Sequence, residues 1–391
     1  MTFTAVALCA VGAERVVSNE LRKLNIKVLE SSFGKVRFLA DLKELYTTLM
    51  ALRAADRVLL ELSRFPAGDF DELFGGIGAV PWEDYIPKDM GLTVAKVRTN
   101  RSKLSALTSI QAVAHKAAAG RLCAKHRVKA LPEQGLQAEI RVYLEKDQAS
   151  VLLDLSGEPL FKRGYRVEGG AAPLRETTAA AIILLSNWKR KFPLYDPFCG
   201  SGTITIEAAM YAWDMAPGIG RRFAVSHLNI HNKQIEESVR DDLFARIDFN
   251  RTIRIYGSDS DPRAVSLAKS NSLRAYDIAL GKNPSRGIRT ETLPAFMPQY
   301  RQGTVAEAAA PDEEGVIITN PPYGKRLGEV GDAERVYQEM GALCGHFAGW
   351  KMAVITDHPG FESHFGRPAT SVRDITNGAI RSYLYEYSRL S

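Results

Sequence analysis

The sequence predicts an α/β protein of 391 residues, with two small α/β modules followed by a doubly wound parallel sheet that closes on an antiparallel hairpin. Three observations carry this. Residues 1–64 read as strand, helix, strand, strand, helix, strand by their apolar periodicity. Further on, two short apolar runs each stop at a loop of unusual chemistry, Asp196-Pro197-Phe198-Cys199-Gly200-Ser201-Gly202-Thr203 and Asn320-Pro321-Pro322-Tyr323. Near the end, Thr376-Asn377-Gly378-Ala379 is a strong two-residue hairpin signal between strand patterns at 371–375 and 380–387. A chain this long exceeds one core of ordinary size. The expected divisions are 1–64, 65–160, a linker 161–173 and a C-terminal domain 174–391.

In chain order, Phe3–Cys9 reads as a strand and Ala13–Leu24 as a helix with apolar Val16, Val17, Leu21 and Leu24 on one face. Val28–Glu30 and Gly34–Leu39 form a hairpin expected to turn at Ser31-Ser32. Asp41 caps a helix through Leu52, and Arg57–Leu62 returns as a strand, which completes the ferredoxin-like order. In the second module, Leu92–Arg98 is a strand and Ser109–Gly120 an alanine-rich helix. Gln137–Leu144 and Ser150–Asp154 are strands joined at Glu145-Lys146-Asp147.

Composition is that of an ordinary soluble protein, 45% hydrophobic and 25% charged, with a net charge of +6. The charge is unevenly spread. Between Lys88 and Lys129 ten lysines and arginines face the single acid Asp89. Basic stripes of this kind hold phosphate without reading bases. Cys9, Cys123, Cys199 and Cys344 have neither metal nor redox spacing, which fits reduced thiols in a cytoplasmic protein with no bound metal. The apolar start runs into Glu14 and lacks a basic leader, so it reads as a strand. No run has the length of a membrane span.

The C-terminal domain opens with a helix at 174–188. Phe192–Tyr195 is the first strand of its sheet and Thr203–Ala212 the helix behind the glycine loop. A polar stretch follows from Asp214 to Phe249, helical over 233–244. Ile253–Tyr256 is the second strand, tipped by Gly257-Ser258-Asp259. Asp261 with Pro262 reads as the cap of the next helix. Ile288–Glu291 is the expected third strand and Val316–Thr319 the fourth. A helix at 334–347 and a strand at 350–356 lead into the hairpin.

The two loops suggest the chemistry. Glycines after the first strand let a ligand approach the backbone, and the helix start beyond offers unpaired N–H groups. No lysine follows Gly202, so this is not a phosphate loop, and the glycine spacing is not that of a dinucleotide fold. Asp196 at the loop's start suits a ligand carrying positive charge, such as the amino group of S-adenosylmethionine. Asp259, at the tip of the second strand, is placed for ribose hydroxyls. In the fourth-strand loop Pro321 and Pro322 remove two backbone donors. The Asn320 amide and the Pro321 carbonyl are thereby free to accept both hydrogens of an exocyclic amine, with Tyr323 stacking on its base. A carbon methyltransferase would need a thiol in that loop, whereas Cys199 lies in the other.

Taken together, the loops resemble those of the THUMP-domain RNA guanine methyltransferases, a family that modifies bacterial large-subunit ribosomal RNA at a guanine amine. The likeness extends to Lys162-Arg163-Gly164-Tyr165-Arg166, Ala172-Pro173-Leu174-Arg175-Glu176-Thr177, Ile206-Glu207-Ala208-Ala209 and Asn377-Gly378. It covers the C-terminal half closely and the N-terminal half more loosely. The resemblance implies a THUMP-like second module and a Rossmann-like methyltransferase domain. It also implies S-adenosyl-L-methionine as cofactor, and RNA as partner, with 23S rRNA or a ribosomal assembly intermediate foremost. Carried over by position, it puts Pro197, Phe198, Gly200, Ser201, Gly202 and Thr203 around the cofactor beside Asp196 and Asp259, with Glu176 and Thr177 nearby. It assigns Lys96, Arg98, Arg101, Lys103, Arg121, Lys125 and Arg127 to RNA. One departure stands out. Relatives carry an acid after the third strand, in a setting like Leu293-Pro294-x-Phe296, where this chain has Ala295. Either Glu291 or a backbone group takes its place, or cofactor affinity is weaker. Adenine methylation of DNA or RNA, glutamine methylation of protein, and an inactive RNA-binding or assembly factor are the alternatives left open.

Overall fold

The computed structural model describes residues 1–166, 174–284, 287–322 and 330–390. The N-terminal half contains β1 (Phe3–Cys9), α1 (Glu14–Lys23), β2 (Lys27–Ser32), β3 (Lys35–Ala40), α2 (Leu42–Ala51) and β4 (Ala55–Pro66). Helix α1 buries Val16, Val17 and Leu21. Asp41 and Glu44 form a reciprocal capping box at the start of α2. The hairpin turns at Phe33-Gly34 rather than Ser31-Ser32, because the turn takes the residue that reaches φ +70° without penalty.

The chain continues through α3 (Phe70–Ala79), β5 (Gly91–Asn100), α4 (Leu107–His126), β6 (Gln137–Glu145) and β7 (Gln148–Asp154). All seven strands form one sheet in the order β2-β3-β1-β4-β7-β6-β5. Strand β4 crosses the division expected at 64/65. It pairs with β1 on one side (Ala5 opposite Leu60) and with β7 on the other, from Leu59 opposite Asp154 to Pro66 opposite Gln148. The apolar alternation fades at Ser63-Arg64, but β7 satisfies that backbone and carries the strand on.

The C-terminal half comprises α5 (Glu176–Leu185), β8 (Leu194–Asp196), α6 (Thr203–Ala212), α7 (Lys233–Phe244), β9 (Ile255–Asp259), α8 (Pro262–Ala279), β10 (Gln299–Gln302) and β11 (Val316–Thr319). It ends with α9 (Val330–Glu339), α10 (Leu343–His346), β12 (Lys351–Thr356), α11 (Phe361–Phe365), β13 (Ser371–Asn377) and β14 (Ile380–Tyr387). Its sheet runs β10-β9-β8-β11-β12-β14-β13. The first five are parallel neighbours, and β14 is antiparallel to both β12 and β13. This is the doubly wound arrangement the sequence predicts. Every residue of β11 is buried, as a central strand requires.

The third strand is a correction. Ile288–Glu291 is not a strand: Ile288 is 56% exposed, and Arg289 is drawn to Asp277 and Glu291. The strand forms at β10 instead, in register with β9, where buried Tyr300 places its hydroxyl 2.7 Å from Thr205 Oγ1 and 2.9 Å from Ser272 Oγ.

The halves share one apolar core, in which Leu45, Leu49 and Tyr46 pack with Met210, Met215, Phe223, Leu243 and Ile278. A buried ion pair crosses it. Arg163 Nε lies 3.3 Å from Glu207 Oε1, with side-chain exposures of 1% and 0%. The same guanidinium donates to the carbonyls of Leu160 and Arg53, and Tyr165 donates its hydroxyl to Glu207. The Lys-Arg-Gly-Tyr-Arg segment is thus a clamp between modules.

Candidate active site

Order reverses between β8 and β11, adjacent central strands, and both loops leave their carboxyl ends at that switch point, where open α/β sheets bind ligands. Asp196, the last residue of β8, is 1% exposed. Its Oδ1 accepts from the Phe198 N–H at 3.1 Å and from Thr319 Oγ1 at 2.6 Å. Burial pushes this carboxyl up to about 7 against those two donors, with Asp259 adding to the rise. A cation arriving here would restore the ionised form.

Gly200 and Gly202 have φ +51° and +86°. A Cβ on Gly202 would press to 3.0 Å of Tyr300 Oη and 3.1 Å of Ala268 Cβ, whereas one on Gly200 would point into open space. The first glycine of the pair therefore borders open space, and the second lets α6 close against α8. Asp259 accepts from the Gly200 N–H and the Asp261 N–H, one on each oxygen, at 2.9 and 3.0 Å. Each oxygen keeps a further lone pair for a ribose hydroxyl. Pro197 is buried and Phe198 half-buried. The Ser201 carbonyl accepts from Asn271 Nδ2, which leaves that residue's side chain and N–H toward the loop. Burial drives the Cys199 thiol far up, so it is inert.

Thr203 opens α6 and takes a 2.5 Å hydrogen bond from Arg166 Nη2. Arg166 Nε lies 3.3 Å from Glu176 Oε1, so Glu176 reaches the helix start through this arginine. Thr177 goes elsewhere, donating its hydroxyl to Asp56 at 2.5 Å beside the Arg175–Asp56 ion pair. It joins the modules rather than the cofactor loop.

On the β11 side, Asn320 is 9% exposed and its Oδ1 is buried without a hydrogen-bond partner among the described residues. A buried amide oxygen in that state costs about 1–3 kcal/mol unless a ligand supplies a donor. Pro321 is buried and Pro322 half-buried. Tyr323, expected to stack on the base, lies outside the described residues.

The departure noted at Ala295 also changes. Ala295 precedes β10, and the strand is followed by Gly303-Thr304. The next acid, Glu307, is held by the Thr304 N–H and hydroxyl at 2.7 and 3.0 Å. Glu291 is 57% exposed in its side chain and paired with Arg289. Each of these carboxylates thus already has a partner within its own loop.

Of the basic residues, Lys96, Arg98, Arg101, Lys103, Lys125 and Arg127 are exposed. Arg98 lies over the Tyr143 ring at 5.6 Å. Arg121 differs, since it forks onto Glu83 at 2.7 and 3.1 Å and pulls that carboxyl down to about 2. Lys125 stands 3.7 Å from the same acid. Arg121 therefore tethers α4 to the turn that follows α3.

Thr319 and Tyr300 are the site residues that sequence reasoning missed. Thr319 had a signal, as the strand end beside Asn320; Tyr300 had none once the third strand was misplaced. Glu334, His358 and His364 also gather with ligand atoms within 4.8 Å. His358 Nδ1 accepts the Gly360 N–H, however, which leaves its proton on the Nε2 that faces Glu334. With Nδ1 already taken as an acceptor, His358 could bind a metal through Nε2 only by losing that proton.

A switch-point site with an acid-and-glycine loop, an acid on the neighbouring strand, an open amide acceptor opposite and a terminal antiparallel strand defines a methyltransferase. The chain belongs to a family described as RMKL-like, methyltransferase domain, which matches residues 163–280 and 295–385; residues 4–59 match the RlmL ferredoxin-like domain. A Bacillus subtilis candidate RNA methyltransferase, YpsC, is 35% identical over 98% of this chain and 96% of its own. The ribosomal RNA large subunit methyltransferase K/L of Syntrophotalea carbinolica is 32% identical over 96% of this chain and 52% of its own. The chain thus spans about half the length of the K/L proteins it matches. In three dimensions it is similar to SMU.472, a candidate methyltransferase solved in complex with SAH (TM-score 0.85, 35% identity, 100% of this chain and 99% of that one). The cofactor is S-adenosylmethionine, and Asp196, the open side of Gly200 and Asp259 fit its cationic end, its backbone approach and its ribose.

Proposed function

We propose that the protein methylates the exocyclic amine of a guanine in RNA, with 23S rRNA or its assembly particle as substrate and the cytoplasm as its place of action. Asn320 Oδ1 carries this reading, as a buried acceptor beside the cofactor loop with no hydrogen-bond partner among the described residues. Support for RNA comes from the exposed Lys96, Arg98, Arg101, Lys103 and Arg127 in the second module, expected to be THUMP-like, and from the relatives named for RNA. Among the described residues no helix is long and apolar enough to cross a membrane.

Bound S-adenosylmethionine supplies the methyl group. The protein's part is to place the acceptor. An exocyclic amine is a poor nucleophile because its lone pair is delocalised into the ring. Asn320 Oδ1 and the Pro321 carbonyl accept its two N–H bonds, which favours a pyramidal nitrogen whose lone pair is free. Orientation of that kind supplies much of the barrier reduction, and no strong base is needed because the proton becomes acidic as the new bond forms. The base must leave its stack, at a cost of a few kcal/mol. Stacking on Tyr323 would return about 1–3 kcal/mol.

The test is transfer of labelled methyl from S-adenosylmethionine to RNA from cells lacking this protein, free and in ribosomal particles, followed by nucleoside analysis. Label in a methylated guanine, lost in Asn320→Ala, is the expected result. Label in adenine, in DNA or in protein would overturn it.

A further inference from the structure

We propose that Thr319 is a positioning residue that couples cofactor binding to capture of the target amine. Its hydroxyl donates to Asp196 Oδ1 at 2.6 Å, and both side chains are fully buried. The bond spans the switch point between β8 and β11, which are otherwise paired only at Val316–Leu194 and Ile317–Tyr195. The peptide unit after Thr319 carries Asn320, whose Oδ1 is the open acceptor. One hydrogen bond therefore joins the group that meets the cofactor's positive end to the strand end that presents the target loop. The link favours the ionised carboxylate, and a carboxylate holds the threonine more tightly than a carboxylic acid does. Loading the cofactor thus tightens the anchor under Asn320.

The charged and titratable groups around Asp196 leave room for this role. Asp259 at the tip of β9 disfavours ionisation. The Cys199 thiol and the Tyr300 hydroxyl from β10 are neutral. Arg166 is engaged by the Glu176 carboxylate of α5 and, through Nη2, by Thr203 at the start of α6 and the Leu174 carbonyl, none of them Asp196. Of the two groups that donate to Asp196, the Phe198 N–H belongs to its own loop. Thr319 is the one that comes from the other strand.

The second half of the proposal rests on the reading of Asn320 given above, so the experiment separates the two. Thr319→Val keeps shape and loses the donor, and Thr319→Ser keeps the donor. S-adenosylhomocysteine binding is measured by calorimetry from pH 6 to 9 in wild type and both variants, with methyl transfer measured in parallel. In wild type, affinity is expected to rise with pH and level off above about 7. In Thr319→Val, affinity at pH 7 is expected to fall roughly ten- to hundredfold, the range for a hydrogen bond to a charged group. Its plateau should begin about one to two pH units higher, and kcat should fall at saturating cofactor. Thr319→Ser should restore both within about threefold.

An unmoved pH profile in a folded Thr319→Val, with loss of thermal stability only, would make Thr319 purely structural and overturn the proposal. A shifted profile with unchanged kcat would overturn the coupling. The reading of Asn320 fails separately, if Asn320→Ala transfers methyl normally whatever Thr319 does.

Discussion

Asp196 offers the sharpest test of how this site is built. Its carboxyl is buried and raised from the ordinary acidic range to about 7. An acid whose folded value is raised loses stability as pH climbs from its unfolded value through its folded one, and the loss is complete above the folded value. At about 1.4 kcal/mol per pH unit, holding this group ionised at pH 8 costs the cofactor-free fold at most about 4 kcal/mol. Asp196→Asn removes the charge while its oxygen still accepts from Thr319 and Phe198. Its new N–H groups need acceptors, which offsets part of the gain, so a net stabilisation of about 1–2 kcal/mol at pH 8 is expected. For a chain of this length that is about 1–3 °C in Tm. The gain should vanish near pH 4, where the wild-type carboxyl is neutral. Affinity for S-adenosylhomocysteine should fall by at least roughly tenfold, as a charge-assisted contact is lost. The assays are thermal melts at pH 4, 6 and 8 and calorimetry at pH 8. A variant less stable than wild type at pH 8, or one that binds cofactor undiminished, would refute the argument.

Further expectations follow from neighbouring contacts. Gly202→Ala, which forces a methyl against Ala268 and Tyr300 at φ +86°, should cost about 2–3 kcal/mol in denaturant unfolding. Gly200→Ala should cost about 1 kcal/mol in the same assay yet weaken cofactor binding, because its Cβ points to open space. Glu207→Gln, which leaves Arg163 charged and unpaired in the core, should lower stability by about 3–5 kcal/mol by chemical denaturation. In RNA binding titrated against salt, Arg101→Ala and Lys103→Ala should each reduce the log–log slope by about one. Arg121→Ala should leave that slope unchanged and lower the melting temperature, because its guanidinium is spent on Glu83.

Much of the architecture was legible because its signals are local. The Asp41 cap, the strand behind Asn320 and the final hairpin follow from residues within a few positions of one another. The two loops were legible as chemistry because glycine, proline and aspartate at strand ends have few other uses. What escaped depends on partners distant in sequence. Nothing near Ser63-Arg64 announces that β7 will extend β4 across the expected module boundary. Ile288 has a strand former's side chain but lies 56% exposed, while the strand forms eleven residues on at Gln299, which places Ala295 before it rather than after. Arg121 and Thr177 read as surface or ligand-facing groups because Glu83 and Asp56 lie 38 and 121 residues away.

The shared core has a consequence for how the chain is made. The βαββαβ unit of residues 3–66 is synthesised before the C-terminal half it packs against. Leu45, Tyr46 and Leu49 belong to a core that is completed by Met215, Phe223, Leu243 and Ile278. Those partners are translated much later. Until they emerge, the nascent N-terminal half carries an uncovered apolar flank, with the sequence separation that slows closure and invites association with other chains. A fragment ending before Thr203 should therefore expose this flank and associate more readily than the full chain.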